Sequence, residues 1–350
     1  MPSLLMIHGA IGADPLDLVA VRLANGLAYK AALTLLLPGG IAPGAAADAI
    51  GRKVTVEAGR GGRRPLLSAL PALVQRLKRD RFDHLLATGN AAGWLAAAAN
   101  IAAGRPSRLT IKVDRPIAAQ GALAARLQAS VFHEAVRVLV PSDADRRSLA
   151  GRFPAAASRF LAVAEPILPA TGRSLPPPRH KGSLRRLLAA GPVDKAARLD
   201  LLVDAVTACA TDVRLTIVGD GPERDRLTTR AAAAGIGERI DFVHAPDLTP
   251  HLRDADLFLL ATAREAMPPQ LIEALGHDRG VIATDSFAAA RDLLDGAPGC
   301  AVVRRDDPRL IAQAIDDALR SGPRPSLRPI AERHGVAAAV QAHAWAMGML

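Results

Sequence analysis

The chain has 350 residues, a formal net charge of +10 and only two cysteines. A length well above about 150 residues predicts two domains, each able to bury its own core. Aromatic residues make up only 3% of the chain, too few for the stacking platforms that bind single-stranded nucleic acid. Because the arginines are spread through both halves, the charge favours anionic ligands or an anionic membrane surface as partners, and not nucleic acid.

The sequence lacks the usual signals for export, membrane insertion and metal binding. The N-terminus has no basic region and only a short apolar run, so it does not resemble a signal peptide. The most apolar segment, 91–104, is interrupted by Asn100 and is shorter than the roughly 20 residues of a membrane span. Neither the two cysteines nor the histidines have metal-ligand spacing. We therefore expect a cytoplasmic protein with no metal and no other cofactor.

Short apolar runs alternate with helical patterns through the first half of the chain. The predicted strands are residues 4–7, 33–37, 54–56, 84–87, 109–113 and 136–140, and the predicted helices lie near 15–29, 65–80, 92–103 and 119–134. This alternation is typical of βαβ units, which build a mostly parallel sheet.

The alternation stops at 166–183, which contains five prolines and few apolar residues. We interpret this segment as a linker. The alternation resumes with predicted strands at 184–190, 215–218, 240–243, 257–260, 281–283 and 301–303. The predicted domains are 1–165 and 184–325, and a helical tail, 326–350, is placed to pack back on the first domain. Two doubly wound domains of this kind offer a cleft between facing strand ends.

Segment 263–285 follows an apolar run and carries two glutamates. Pro268 and Pro269 suit the first turn of a helix, because prolines have a helical φ and the amides that they lack would be unpaired there. Glu265 then lies in the loop before the helix and Glu273 inside it, on the order of 10 Å apart, which exceeds the spacing of a glycosidase pair. The two carboxylates either hold two parts of one ligand or are an ordinary helix-start acid and a solvated helix residue.

Two loops that follow strands carry glycines. Gly219 and Gly221 come directly after one strand, and Gly12 lies in the loop after the first strand. Such loops either let the backbone approach an anionic ligand at a helix N-terminus or simply form tight turns. Neither loop has the three-glycine dinucleotide fingerprint, which disfavours a Rossmann dehydrogenase.

Two acidic triplets, Asp143-Ala-Asp145 and Asp254-Ala-Asp256, resemble the metal-binding triplets of some sugar transferases. The first follows Ser142 at a predicted helix start, and the second joins a helix end to a strand. We therefore predict capping and boundary roles for both.

Taken together, the second half resembles glycosyltransferase family 4, the retaining transferases with the two-domain GT-B fold. The segments that carry the resemblance occur in order at 199–205, 215–222, 239–243, 255–259 and 265–285, with weaker matches in the first half at 82–83, 88–90, 140–142 and 163–167. The resemblance implies an α/β fold of two Rossmann-like domains facing a central cleft. It also implies a nucleotide-diphosphate (NDP) sugar donor on the C-terminal domain and an acceptor on the N-terminal domain.

The resemblance also implies roles for particular residues. Glu265 is expected to be a catalytic residue that faces the donor sugar, and Glu273 to face the ribose hydroxyls. Asn90 and Asp114 are expected on the acceptor side. The residues expected to contact the donor are Gly12, Gly219, Gly221, His244, Met267, Gln270 and Glu273.

The chain departs from the family at the diphosphate-binding positions. Pro192 and Ala197 stand where the family usually has an arginine and a lysine, and we expect Lys195 or Arg198 to act as the catalytic cation in their place. The other departures are Pro269, which removes an amide, Asp114 in place of a histidine, Asp278 and Gly280 in place of Gly and Pro, and 288–290 in place of a glycine pair.

The expected function is retaining transfer of a hexose-type sugar from an NDP-sugar to a glycan or lipid-linked acceptor of a cell-envelope polysaccharide. The basic surface fits a position at the inner face of the membrane. Because the diphosphate positions are altered, a second hypothesis is a catalytically degenerate GT-B protein that binds nucleotide-sugar or partners without transfer. Another GT-B activity, such as a nucleotide-sugar epimerase, is only weakly disfavoured.

Overall fold

The computed structural model describes residues 1–12, 14–59, 65–115, 117, 122–167, 184–245, 247–262, 266–304, 307–321 and 325–350. The chain forms two compact units, one of Met1–Ile167 with His334–Leu350 and the other of Leu168–Arg333. Most of the predicted linker, from 168 to 183, lies outside the described residues.

The first unit is built on a seven-stranded parallel sheet. Its strands are β1 (Ser3–His8), β2 (Ala32–Leu37), β3 (Thr55–Ala58), β4 (His84–Thr88), β5 (Arg108–Lys112), β6 (Arg137–Val140) and β7 (Phe160–Ala162). Their order in the sheet is β3-β2-β1-β4-β5-β6-β7, and every pairing is parallel. The six strands predicted in this half are confirmed, and only the three-residue β7 is additional.

Helices cover both faces of this sheet. They are α1 (Pro15–Leu27), α2 (Ala45–Asp48), α3 (Pro65–Asp80), α4 (Asn90–Ala102), α5 (Ala122–Glu134) and α6 (Asp143–Arg152). Alternate residues of β1 enter different cores: Leu5 and Ile7 pack with α3, α4 and α5, whereas Leu4 and Met6 pack with α1. A strand buried on both faces needs a continuous apolar run, which explains why β1 shows no polar alternation.

The second unit is built on a six-stranded parallel sheet. Its strands are β8 (Arg185–Ala190), β9 (Val213–Val218), β10 (Ile240–Val243), β11 (Leu257–Leu260), β12 (Gly280–Thr284) and β13 (Ala301–Val303). The sheet order is β10-β9-β8-β11-β12-β13, so in each unit the chain winds outward from its first strand and then reverses to place its fourth strand on the other side. This is the doubly wound arrangement of Rossmann-type domains, and it confirms the predicted α/β class.

The helices of the second unit are α7 (Leu199–Ala208), α8 (Arg224–Ala233), α9 (Thr249–Asp254), α10 (Pro269–Gly276), α11 (Ala289–Leu294), α12 (Pro308–Arg320) and α13 (Arg328–Glu332). Helix α10 begins where the two prolines predict it, with Pro268 as N-cap and Pro269 as the first helical residue. Among the described residues, no helix of either unit is both long and apolar enough to cross a membrane.

The acidic triplets have the predicted structural roles. Ser142 caps α6 by accepting a hydrogen bond from the amide of Asp145. Asp254 ends α9, and Asp256 accepts a hydrogen bond of 2.7 Å from the amide of Arg186. Both triplets therefore mark element boundaries.

The predicted helical tail consists of two helices, α13 and α14 (Val336–Ala346). α14 belongs to the first unit, where Val340 and Ala344 join the core beside α1. Helices α1 and α14 approach closely at Gly26 of α1, where an added Cβ would overlap the side chain of Val340 of α14. A glycine is required here because a larger residue would separate the two helices.

We expect Gly26→Ala to lower the free energy of unfolding of the first unit by about 1 to 3 kcal/mol, because extra volume in a close-packed contact forces backbone shifts. The measurement is the apparent melting temperature followed by circular dichroism. Val340→Ala alone opens a small cavity, but in the double variant it should recover most of the loss. Additive losses in the double variant would show that the contact is not the cause.

Candidate functional site

A pocket lies at the switch point of the second sheet, where β8 and β11 are neighbours but the chain connections that leave them run in opposite directions. Its walls are Ala189, Ala190, Gly191, Pro192, Ala197, Leu199, Leu259, Leu260, Ala261, Thr262 and Gln270. Ligands of open α/β sheets bind at such points, beyond the carboxyl ends of the strands. The pocket is therefore the candidate ligand site of this unit.

Gly219 and Gly221 hold two loops of this site together. An added Cβ at Gly219 would overlap the carbonyl oxygen of Gly191, and one at Gly221 would overlap that of Val193. At these two glycines the backbone therefore lies close to the loop after β8, and not to an open ligand site. The amide of Gly221 donates to the Asp220 carboxylate at 2.9 Å, so an anion would have to displace that carboxylate to reach the amide.

The loop after β8 presents the two candidate cations differently. Asp194 caps the short 3-10 turn that contains Lys195, accepting hydrogen bonds from the amides of Ala196 and Ala197 at 3.0 Å. Lys195 is exposed and has no ion-pair partner within the described part of the chain. Arg198 takes a left-handed conformation with φ of 49°, and its Nε donates to Asp200 at 3.3 Å. Lys195 is therefore the cation more readily available to a ligand.

Helix α10 places predicted donor residues at different depths. Gln270 lines the pocket, and Glu273 lies one turn further along the same helix face. Met267, in contrast, is 2% exposed and packs within the unit. Glu265 lies outside the described residues, so its predicted distance from Glu273 stays a prediction.

His244 lies apart from the switch point. It follows β10, the edge strand, and β9 separates that strand from β8, a distance of roughly 10 Å at normal strand spacing. Its side chain is exposed. The structure therefore does not bring His244 to the pocket with Gln270.

The corresponding switch point of the first unit, between β1 and β4, holds a hydrogen-bonded network. The His8 ring contacts Thr88 Oγ1 at 2.7 Å through Nδ1 and Asp17 Oδ1 at 3.0 Å through Nε2. The other oxygen of Asp17 accepts a hydrogen bond of 2.7 Å from the amide of Gly12. The amide of the predicted donor residue Gly12 is thus bonded to a carboxylate of the same unit, as that of Gly221 is in the second.

Asn90 and Asp114, predicted on the acceptor side, lie at neighbouring strand ends. Asn90 begins α4, and an added Cβ at the preceding Gly89 would lie 3.3 Å from Asp114 Oδ2. Asp114 is 7% exposed. The structure therefore brings this predicted pair together.

A buried ion pair beside Asp114 was not predicted from the sequence. Lys112 and Glu165 contact each other at 2.9 Å, with side chains 5% and 3% exposed. Burial, the largest effect, raises the pKa of Glu165, and the charge of Asp114 adds to the rise. Lys112 lies on β5 and Glu165 lies 53 positions further along, after β7. No local sequence signal links them.

Two other features limit the chemistry of the described residues. No three His, Cys, Asp or Glu side chains among them come together in a way that could hold a metal ion. Burial raises the pKa of Cys209 to about 12, so this thiol is not a nucleophile at neutral pH.

The segment that carries the second-unit pocket matches a known family. Residues 185–321, which run from β8 to the end of α12, match the family model described as "Glycosyl transferases group 1". This segment is therefore similar to a group 1 glycosyl transferase domain.

Two curated relatives match the chain in part. An N-acetylgalactosamine-N,N'-diacetylbacillosaminyl-diphospho-undecaprenol 4-alpha-N-acetylgalactosaminyltransferase from Campylobacter jejuni is 27% identical over 141 residues, 38% of this chain and 38% of the relative. The lipopolysaccharide core biosynthesis glycosyltransferase LpsE of Rhizobium meliloti is 31% identical over 116 residues, 33% of this chain and 34% of the relative. The chain thus spans little more than a third of the length of these relatives.

Solved structures match the chain over nearly its whole length. The apo lipopolysaccharide outer core galactosyltransferase WaaB superposes with a TM-score of 0.77 at 16% identity, covering 99% of both chains. HepE from Anabaena, in complex with UDP and glucose, superposes with a TM-score of 0.78 at 17% identity, covering 100% of both chains. At such identities the likeness establishes the fold alone, and the predicted GT-B fold class is confirmed.

The buried histidine of α14 makes acid sensitivity a testable property of the first unit. His343 is 1% exposed, and burial, together with the charge of Lys112, lowers its pKa to about 4. Because this is below the roughly 6.5 of an unfolded histidine, the unfolded chain takes up the proton first as the pH falls. The neutral His343 therefore leaves the free energy of unfolding unaffected above about pH 6.5. As the pH falls towards 4, this free energy decreases by about 3 kcal/mol.

We expect His343→Gln to flatten the fall of the melting temperature between pH 6.5 and 4 relative to the unchanged protein. His133, an exposed histidine on α5, provides the matched control: His133→Gln should leave the pH profile as it was. Equal profiles for His343→Gln and the unchanged protein would contradict the assignment.

Proposed function

We propose that the protein is a retaining glycosyltransferase that moves a sugar from an NDP-sugar to a glycan or lipid-linked acceptor of the cell envelope. The observation that carries the proposal is the pocket at the β8–β11 switch point, within the segment that matches the group 1 model. The names of the relatives support the acceptor class, since one specifies a diphospho-undecaprenol-linked saccharide and the other lipopolysaccharide core.

In this proposal the second unit binds the donor. The pocket takes the nucleotide beyond Gly191, with Gln270 on its wall. The Glu273 carboxylate, one turn along α10, accepts hydrogen bonds from the two ribose hydroxyls, a geometry that suits the two oxygens of a carboxylate.

Lys195 supplies the charge that the diphosphate requires. The departing nucleoside diphosphate carries the negative charge that develops in the transition state, and a preorganised cation is usually the largest contribution to stabilising such charge. An exposed lysine in the loop after β8 can move towards a phosphate, whereas Arg198 would first have to leave Asp200. In this proposal Lys195 takes the place of a divalent cation, and Glu265 faces the donor sugar.

The acceptor is assigned to the first unit, beside Asn90 and Asp114. The retaining outcome rests on the resemblance to glycosyltransferase family 4. The net charge of +10 supports a position at the anionic inner face of a membrane, where lipid-linked acceptors reside.

A degenerate binding protein is the second candidate, and a specific observation favours it. Pro192 and Ala197, which lack charge, line the pocket at the positions where the family has cations. The nearby Gly221 amide is bonded to Asp220. Such a protein would bind a nucleotide-sugar without transfer.

Nucleotide binding is expected of both the glycosyltransferase and the degenerate binding protein, and it distinguishes them from a protein with an unrelated function. We expect UDP, GDP or ADP to raise the melting temperature, since a ligand at 100 times its Kd adds about 2.7 kcal/mol. Lys195→Ala should weaken binding about 10- to 100-fold, the loss of one charge-assisted contact, and Arg198→Ala should weaken it less. The control is Lys78→Ala on α3, an exposed lysine of the first unit. No stabilisation by any of the three nucleotides would refute donor binding.

Transfer is distinguished from binding by hydrolysis of the donor. We expect slow release of nucleotide from the correct NDP-sugar, and Glu265→Gln should reduce this rate at least 100-fold while stabilisation by the nucleotide persists. Glu238→Gln, at an exposed position in the same unit, should leave the rate unchanged. A protein that binds nucleotide but hydrolyses no donor from a panel would support the degenerate alternative.

A further inference from the structure

Three buried acceptor oxygens of the first unit have no hydrogen-bond partner among the described residues. They are Asn90 Oδ1, Asp114 Oδ1 and Glu165 Oε2. Asp114 and Glu165 are 7% and 3% exposed, so water does not reach these carboxylates freely. A buried acceptor without a donor is costly, and more so when it is charged.

The three residues are neighbours at the carboxyl edge of the sheet. The amide of Gly89, which precedes Asn90, donates to the carbonyl of Lys112 at 2.9 Å, and a Cβ at Gly89 would lie 3.3 Å from Asp114 Oδ2. Lys112 in turn contacts Glu165 at 2.9 Å. The unsatisfied oxygens therefore belong to one cluster around Lys112 and Gly89.

No described residue of the chain donates a hydrogen bond to any of these three oxygens. Lys112 is the cation of the pair with Glu165, and Arg115, which follows Asp114, is paired with Asp14. His343, near Lys112, stays neutral because its pKa is lowered to about 4. The cluster thus holds two buried carboxylates and one buried lysine, and a ligand can supply donors that the described residues do not.

The charges around the cluster select the chemistry of that ligand. An anion would be repelled by Asp114 and Glu165. A metal ion or an ammonium group would meet Lys112 and the positive N-terminal end of α4, whose N-cap residue, Gly89, provides no side-chain hydrogen bond. A hydroxyl group both donates and accepts, so it can donate to the carboxylates and accept from the first-turn amides of α4.

We propose that Asn90, Asp114 and Glu165, with Lys112 as counter-charge, form a subsite that binds the hydroxyl groups of a neutral sugar ring. The identification of this sugar ring as the terminal sugar of the acceptor rests on the proposed function. The binding of sugar hydroxyls to the subsite does not depend on it. Glu165 and Lys112 become part of the site through contacts that join distant segments of the chain.

The test uses the full chain without nucleotide and the methyl glycosides of glucose, galactose and N-acetylglucosamine as probes. Saturation-transfer difference NMR titrations give the Kd of each probe. We expect at least one glycoside to bind in the millimolar range. Asp114→Asn and Glu165→Gln, which keep the shape of the side chains, should each raise that Kd about tenfold, because a hydrogen bond to a charged oxygen becomes a weaker one to a neutral amide.

Glu134→Gln is the matched control, because it removes the carboxylate at the C-terminal end of α5 that pairs with Arg105. This variant should bind the glycoside with an unchanged Kd. A purely structural role of the cluster would change the melting temperature of Asp114→Asn and Glu165→Gln and leave the Kd as it was, which would overturn the proposal. If Glu165→Gln does not fold, Asp114→Asn and Asn90→Ala decide the question by the same criterion.

Failure of this inference can be told apart from failure of the proposed function. Stabilisation by UDP without binding of any glycoside would overturn the subsite and leave donor binding intact. Glycoside binding without stabilisation by any nucleotide would support the subsite and count against the glycosyltransferase. In Asp114→Asn, stabilisation by nucleotide should persist, since that effect belongs to the second unit.

Discussion

The reversal of chain winding at the first strand of each sheet is the constraint on which the functional features depend. With β1 beside β4 and β8 beside β11, the loops that leave each pair of neighbours run to opposite faces and leave a crevice between them. The pocket beside Gly191 and the network around His8 both lie at such points. Most of the other candidate site residues lie on the loops or helix starts that follow these strands and their neighbours.

Close backbone packing determines how much of each crevice remains open to a ligand. Gly219 and Gly221 bring the loop after β9 against the loop after β8, and the amide of Gly221 is already bonded within the unit. The glycines therefore shape the pocket wall, and Lys195 is an exposed cation in the described part of the neighbouring loop. In the proposed function, recognition of the diphosphate therefore depends on the Lys195 side chain more than on backbone amides.

The two units differ in the charge that they present. The second unit offers a lysine beside a largely apolar pocket, which suits a nucleoside diphosphate. The first unit buries a lysine paired with one carboxylate and a second carboxylate nearby, which suits hydroxyl groups better than a phosphate. This division matches a donor on one unit and an acceptor on the other, within a chain whose net charge is strongly positive.

The sequence by itself determined the element order, because the apolar runs and helix-start prolines are local signals: β10, β11 and β13 occupy the predicted residues, and α10 begins at Pro269. It also placed Asn90 and Asp114 at adjacent strand ends. The three-residue β7 carried too short a pattern to be predicted. Only the tertiary structure decided that His8 meets Asp17 and Thr88, that Lys112 meets Glu165, and that His244 stands away from the pocket. These outcomes depend on strand order and burial, which join residues far apart in the chain and leave no periodic trace in the sequence.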